Sequence, residues 1–255
     1  DGIVLIGGNN GQQSLNKVYM LSLDADGKAV IENLAELPAA VDNMYACACG
    51  RKVFVAGGNV DGTPSSALFV MDMDAQENGW ERLPDMPGNP RVQPVMAASG
   101  DSLYIWGGCA GRFEGHEPTL ETAGLRYDTI SGEWRELPAP VGDDGEAISL
   151  GGGVACILSD GRIAATGGVN KDIFLEALRN QAPDYLQHPS EWYRFNSVIS
   201  VFAPEECSWS IAGEDKKAAR AGAAVVADDE NGFYLFGGEL KPRIRTPEVA
   251  HFSVE

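Results

Sequence analysis

Four charged side chains crowd the seven residues from 239 to 245 in the stretch "GGELKPRIRTPEV": Glu239, Lys241, Arg243 and Arg245. The chain carries a formal net charge of -18, so a knot of cations beside a glutamate runs against its average. Glu239 and Arg245 stand six positions apart with Pro242 between them, so a loop that folds back on itself aims both at one small ligand. A carboxylate supplies acid/base chemistry. A guanidinium grips an anionic carboxylate through two parallel N–H bonds, which a lysine cannot copy. The plainer reading is an exposed turn whose cations offset acidic neighbours, because charge runs are usually solvated faces.

The elements that must hold this segment are set by repetition. "GIVLIGG", "KVFVAGG", "SLYIWGG", "RIAATGG" and "GFYLFGG" are one element met five times, with glycine pairs beginning at residues 7, 57, 107, 167 and 237. Each is a short apolar strand broken by Gly-Gly. A small, apolar strand precedes most of them ("YACACG", "PVMAASG", "GGVACILS", "AGAAVVAD"). Further strands follow, the last containing Trp and closing on Leu-Pro, as in "NGWERLPDMP" and "SGEWRELPAP". Four strands per unit at roughly 50 residues is the kelch pattern, so the fold expected is an all-β propeller forming a single domain over residues 1–255. The first unit lacks its innermost strand and the last an evident outermost one. Six blades at this period need roughly 300 residues, so an N-terminal portion is expected to be absent; a degenerate blade or a five-blade ring are the alternatives.

In such a meander the residues after a glycine pair share one end of the ring with those after a Leu-Pro stop. Asn9, Asn10, Asn59, Asn170 and the 239–245 segment therefore converge with Asn43, Arg91, Gln93, Ser149 and Arg220. The segment thus lies near the axis rather than at the rim. Asn43, Arg91, Asn170, Arg220 and Lys241 are the candidate ligand-binding residues, and Glu239 and Arg245 the candidate reactive pair. The glycine pairs themselves have no Lys-Ser/Thr and no GxGxxG, so they are backbone devices rather than phosphate loops. Residues 171–195 form an insertion, with Asp172 expected to cap a short helix stopped by Pro183. It is placed over the axial pocket as a lid or wall, with His188, Trp192 and Tyr193 as candidate wall residues.

A sequence pI near 4.5 argues against nucleic acid or anionic membrane as a general partner, and no transmembrane-length apolar stretch or cleavable leader is evident. Cysteines 47, 49, 109, 156 and 207 are scattered and odd in number, which fits small buried thiols rather than a disulfide framework or zinc. No metal or other cofactor is indicated.

The motif "GGELKPRIRTPEV" resembles the G-E-x-K-P-x-x-R-T run of the bacterial sialic acid mutarotases, the N-acetylneuraminate epimerase family. "GGVN" followed by a long insertion and then the motif blade resembles its cyclically permuted branch, and the resemblance covers essentially the whole chain. It implies a six-bladed kelch propeller that interconverts the α and β anomers of N-acetylneuraminate, with Glu239 as acid/base and Arg245 as an essential arginine. It also implies a small acidic sugar as the partner and a periplasmic or secreted location. Arg243 stands where a small residue is expected. Two other classes compete. A non-catalytic propeller would bind a protein or glycan at the same arginine-rich mouth. A copper radical oxidase would need grouped His and Tyr ligands, which His116, His188 and His251 do not offer.

Overall fold

The computed structural model describes residues 2–255 as five antiparallel blade sheets in chain order, two small sheets beside them and one α-helix of ten residues. Blade 1 has three strands, Ile3–Ile6, Val18–Leu23 and Ala29–Asn33. Blade 2 has four, Tyr45–Cys49, Lys52–Ala56, Leu68–Asp72 and Trp80–Leu83. Blade 3 follows with Val92–Ser99, Ser102–Ala110, Gly124–Asp128 and Trp134–Leu137. Blade 4 comprises Val154–Ile157, Ile163–Thr166, Val198–Ala203 and Ser208–Glu214. Blade 5 has three strands, Ala224–Ala227, Gly232–Phe236 and Val249–Ser253. The innermost strands of blades 2 to 5 lie side by side in that order. This is a kelch-type β-propeller arrangement. Among the described residues, no strand of blade 1 pairs with one of blade 5.

The core lies between blades, which is why the second strand of a unit reads as a nearly unbroken apolar run. In "KVFVA", Val55 faces blade 1 beside Phe69 and Val41, while Phe54 faces blade 3 beside Met96 and Leu103. A strand buried on both faces needs apolar residues at both parities. Blades 3 and 4 meet over Tyr104, Trp106 and Phe202, and blades 4 and 5 over Val201, Phe233 and Leu235. The terminal sheets each leave one apolar face exposed: Ile3, Leu5 and Ile31 on blade 1, and Val226, Tyr234, Phe236 and Val249 on blade 5.

Two sequence signatures tie neighbouring blades together. The outer-strand tryptophans donate their indole N–H groups back to the preceding linker, Trp80 to Ala35 O, Trp134 to Pro84 O and Trp209 to Pro138 O, at 2.9 to 3.1 Å. The first glycine of each pair in blades 1 to 4 has positive φ and backs directly onto the next linker. A Cβ on Gly7 would sit 2.5 Å from Val41 O and one on Gly107 2.7 Å from Gly151 N; Gly57 and Gly167 press on Arg91 O and Arg220 O in the same way. Any side chain there would drive the blades apart, so these pairs do more than make turns.

Candidate active site

Four residues where the linkers enter the innermost strands define the inner rim. Asn43, Gln93, Gly152 and Gly222 all have positive φ, and their backbones link blade to blade. Gln93 N donates to Asn43 O (2.7 Å), Gly152 N to Gln93 O (2.9 Å) and Gly222 N to Gly152 O (2.7 Å). Glu239 lies directly against this rim, because its backbone exchanges two hydrogen bonds with Ala221, at 2.7 and 3.0 Å.

From there the chain makes a small hairpin, Glu239–Lys241 against Ile244–Arg245, with Glu239 opposite Arg245. Pro242 and Arg243 occupy its turn. Proline pre-sets the first turn position, and Arg243, with φ of 69°, takes the left-handed second position that glycine or asparagine usually fills. That is the physical content of the small residue expected at 243. Arg245 Nε lies 3.5 Å from Glu239 Oε1, with the arginine side chain 77% exposed and the glutamate 27%. The carboxylate is therefore half sheltered, and the guanidinium has free donors pointing to solvent.

Arg91 and Arg220 were expected on the ligand, and the structure gives them another role. Arg220 is 1% exposed. Its Nη1 donates to Gly237 O (3.0 Å) and Glu248 O (2.7 Å), and its Nη2 to the Glu248 carboxylate (2.8 Å). It therefore ties together the two ends of the segment carrying Glu239 and Arg245. Arg91 does the same two blades earlier, in blade 3, bridging Gly107 O and Ala123 O at 2.9 Å each. A buried guanidinium committed to main-chain carbonyls is framework, not a ligand clamp.

Asn170 is likewise engaged. Its side-chain oxygen accepts from Asp172 N and Ile173 N, so it, and not Asp172, caps helix α1, Lys171–Asn180; Asp172 sits in the first turn. The helix ends at Gln181 in the left-handed conformation, two residues before Pro183. Lys241 sends its amino group to the carbonyls of His188 and Leu186. Ser149 Oγ accepts from Gly151 N, and Asn10 closes its own loop onto Gln12 and Gln13.

Asn9, Asn43 and Asn59 do come together, around a residue the sequence reading passed over. Asp42, 7% exposed, accepts from Asn9 Nδ2 (3.2 Å), Asn43 Nδ2 (2.8 Å), Asn59 Nδ2 (2.8 Å) and Ser14 Oγ. Burial pushes its carboxyl up. The hydrogen bonds from Ser14, Asn59, Asn9 and Asn43 outweigh that and hold it below the ordinary carboxylate value. Gln93 Nε2 adds a contact to Asn43 Oδ1 (3.1 Å). The signal for Asp42 was its place in the same convergent linker, one residue before Asn43.

All five cysteines are free thiols. Burial raises Cys47 and Cys156 to about 12 and Cys109 to about 11; contrary to the expectation of buried thiols throughout, Cys109 alone is fully buried, Cys47, Cys49 and Cys156 are half-buried and Cys207 is exposed.

The sequence profile of the family described as N-acetylneuraminate epimerase matches residues 34–255. The N-acetylneuraminate epimerase of Salmonella enteritidis PT4 is 29% identical over 200 residues, covering 74% of this chain and 50% of that protein. That of Brucella melitensis biotype 1 is 28% identical over 234 residues, covering 86% and 58%. A solved structure described as "Structure of YjhT" superposes with a TM-score of 0.72 at 29% identity, over 87% of this chain and 64% of that one. The chain spans about half the length of the curated relatives it matches.

Proposed function

The chain belongs to the N-acetylneuraminate epimerase family, and we propose that its protein interconverts the α and β anomers of N-acetylneuraminate, or of a closely related acidic sugar. The observation that carries this reading is the pairing of Glu239 and Arg245 across one tight hairpin at the inner rim. Arg245 offers the exposed guanidinium that a sugar carboxylate needs for a two-point grip. That grip would place the adjacent anomeric carbon beside Glu239.

Anomer exchange opens and recloses a cyclic hemiketal. The Glu239 carboxylate takes the proton of the anomeric hydroxyl, the bond between the anomeric carbon and the ring oxygen breaks, and the ring oxygen is protonated by water or by the new carboxylic acid. Rotation about the bond to the anomeric carbon presents the other face of the ketone. Reclosure reverses the proton transfers, so one carboxyl group serves in both directions. Holding the carboxylate end of the sugar on Arg245 keeps the open form in register for reclosure.

The test is exchange between the two anomers followed by NMR, comparing the parent chain with Glu239→Gln. Loss of acid/base catalysis lowers the rate by roughly 10²–10⁴-fold. A variant as fast as the parent removes Glu239 from the mechanism. Binding of the sugar without faster exchange in the parent would mark a binding propeller instead.

A further inference from the structure

Lys241 belongs to the motif segment, yet its amino group points away from the Glu239–Arg245 pair and into the blade 4 insertion. Nζ donates to His188 O at 2.6 Å and reaches Leu186 O at 3.5 Å, and it sits 6.0 Å from the centroid of the Tyr193 ring. An ammonium suits this place. It has several donors on one point, the two carbonyls close the short helical turn Tyr185–Gln187, and an aromatic face lies alongside.

The stretch it grips has few other ties. Among the described residues, the hydrogen bonds joining 182–193 to the rest of the chain come from Lys241. The others there are local, such as Tyr185 N to Ala182 O, Gln187 N to Asp184 O, Trp192 N to Pro189 O and Tyr193 Oη to Tyr185 O. Packing supplies the remaining anchor. Tyr193 is 1% exposed and, with Phe195 and Val169, forms a cluster against Ala219 and Ala221. Ala221 is the residue whose backbone pairs with Glu239. On the insertion's outer part the His188 imidazole stacks on the Trp192 indole at 3.8 Å and 12°. The insertion thus meets the reactive hairpin at two points, the aromatic cluster under Ala221 and the lysine beyond Glu239.

The geometry points to Lys241 as a positioning residue: it latches the 182–193 segment onto the motif hairpin and thereby fixes one wall of the sugar site. The latch stands on contacts alone, whereas the wall rests on the proposed function. An ammonium already shared between carbonyls is not available to the sugar carboxylate, which leaves that task to Arg245.

The test compares Lys241→Met, which keeps the stem and removes the donor, with Lys241→Arg, which restores donors. Two readouts are taken: backbone hydrogen–deuterium exchange of 182–193, and kcat and KM for anomer exchange. In Lys241→Met the segment should exchange roughly tenfold faster or more, since a charge-assisted hydrogen bond of ordinary strength is lost. KM should rise several-fold with kcat within about twofold, the signature of a lost wall rather than lost chemistry. Lys241→Arg should recover most of the protection. Unchanged protection in Lys241→Met overturns the latch, and if KM moves all the same, Lys241 touches the sugar directly. Lost protection with KM unmoved overturns the wall. Should the parent chain fail to speed anomer exchange, the functional reading falls and the exchange measurement on 182–193 still decides the latch.

Discussion

Replacing Arg220 with Met removes the donor that closes the base of the reactive hairpin while roughly preserving side-chain volume. Gly237 O and the Glu248 carboxylate lose their arginine partner, and Glu248 O is left with the Gly237 N–H alone, at 3.0 Å. A part-buried carbonyl left without a donor, as Gly237 O is, costs about 1 kcal/mol or somewhat more, and Glu248 O, which keeps one donor, costs less. The carboxylate is 45% exposed and rehydrates, so its loss adds about 0–1 kcal/mol, well short of the figure for a fully buried pair. Against this, Arg220 Nε is buried with no partner, so the parent already bears part of the guanidinium's desolvation. The balance is about 1–2 kcal/mol of destabilisation. With a urea m-value of roughly 2–3 kcal/mol/M, the unfolding midpoint should fall by about 0.5 M. Arg91→Met serves as the internal reference, since it strips two carbonyls in another blade and no carboxylate. It should cost about 2 kcal/mol by the same accounting and leave the anomer-exchange rate of the folded protein intact. Arg220→Met should in addition lower that rate, because the side-chain clasp across the ends of the segment bearing Glu239 and Arg245 is lost and the Gly237 N to Glu248 O bond alone closes its base. A midpoint shift under about 0.3 M, or equal rate losses in the two variants, would refute the view that these arginines are loop clasps.

Asp42 makes a pH-dependent contribution. Its folded pKa lies below the unfolded value, so the native state binds fewer protons and stability gains with pH. The contribution is complete above the unfolded value near pH 4 and is lost as pH falls through the lower, folded one. Asp42→Asn should therefore be less stable than the parent by about 1–3 kcal/mol at pH 7, with the gap closing in acid, as followed by urea unfolding at a series of pH values. A gap that widens in acid contradicts this. Thiol labelling with mass-spectrometric readout should modify Cys207 first, the half-buried Cys47 and Cys156 much more slowly because burial raises their thiols, and the fully buried Cys109 only on unfolding.

Where the sequence alone sufficed, the physics was local or repeated. Apolar runs ending in Gly-Gly marked the second strands because those strands are buried on both faces, and tryptophans spaced with Leu-Pro marked the outer strands because each indole returns to the preceding linker. The hairpin at 239–245 was legible from Pro242 and from the unusual charges around it. What could not be read was the fate of individual polar side chains. Arg91, Arg220 and Arg245 look alike as letters, yet two are enclosed by carbonyls from segments sixteen to thirty-two residues away and one is exposed. Asn170 and Asp172 are both good caps. The choice falls to Asn170 because Val169 N is already bonded to Gly151 O, which holds the chain extended until 170 and lets the helix start at 171. Left-handed backbone at Asn43, Gln93 and Arg243 was hidden for the same reason, since neighbouring blades and turn geometry impose it.

The residue after each glycine pair shows how one scaffold position can carry different chemistry. Asn59 pairs its backbone with Asp42, Cys109 with Val92, Val169 with Gly151 and Glu239 with Ala221, each on the linker that enters its own blade. The backbone of this slot is held by main-chain hydrogen bonds and by the absence of a Cβ on the glycines before it, and neither depends on the slot's side chain. An amide, a thiol, an isopropyl group and a carboxylate all occupy it. The fold therefore does not require a carboxylate at 239, and among the described residues only in blade 5 does a hairpin bring an arginine opposite the slot. For that reason Glu239→Gln should leave the unfolding free energy within about 0.5 kcal/mol of the parent while lowering the anomer-exchange rate by roughly 10²–10⁴-fold. A large loss of stability in that variant would mean the carboxylate supports the hairpin, and its rate loss could then no longer be read as chemistry.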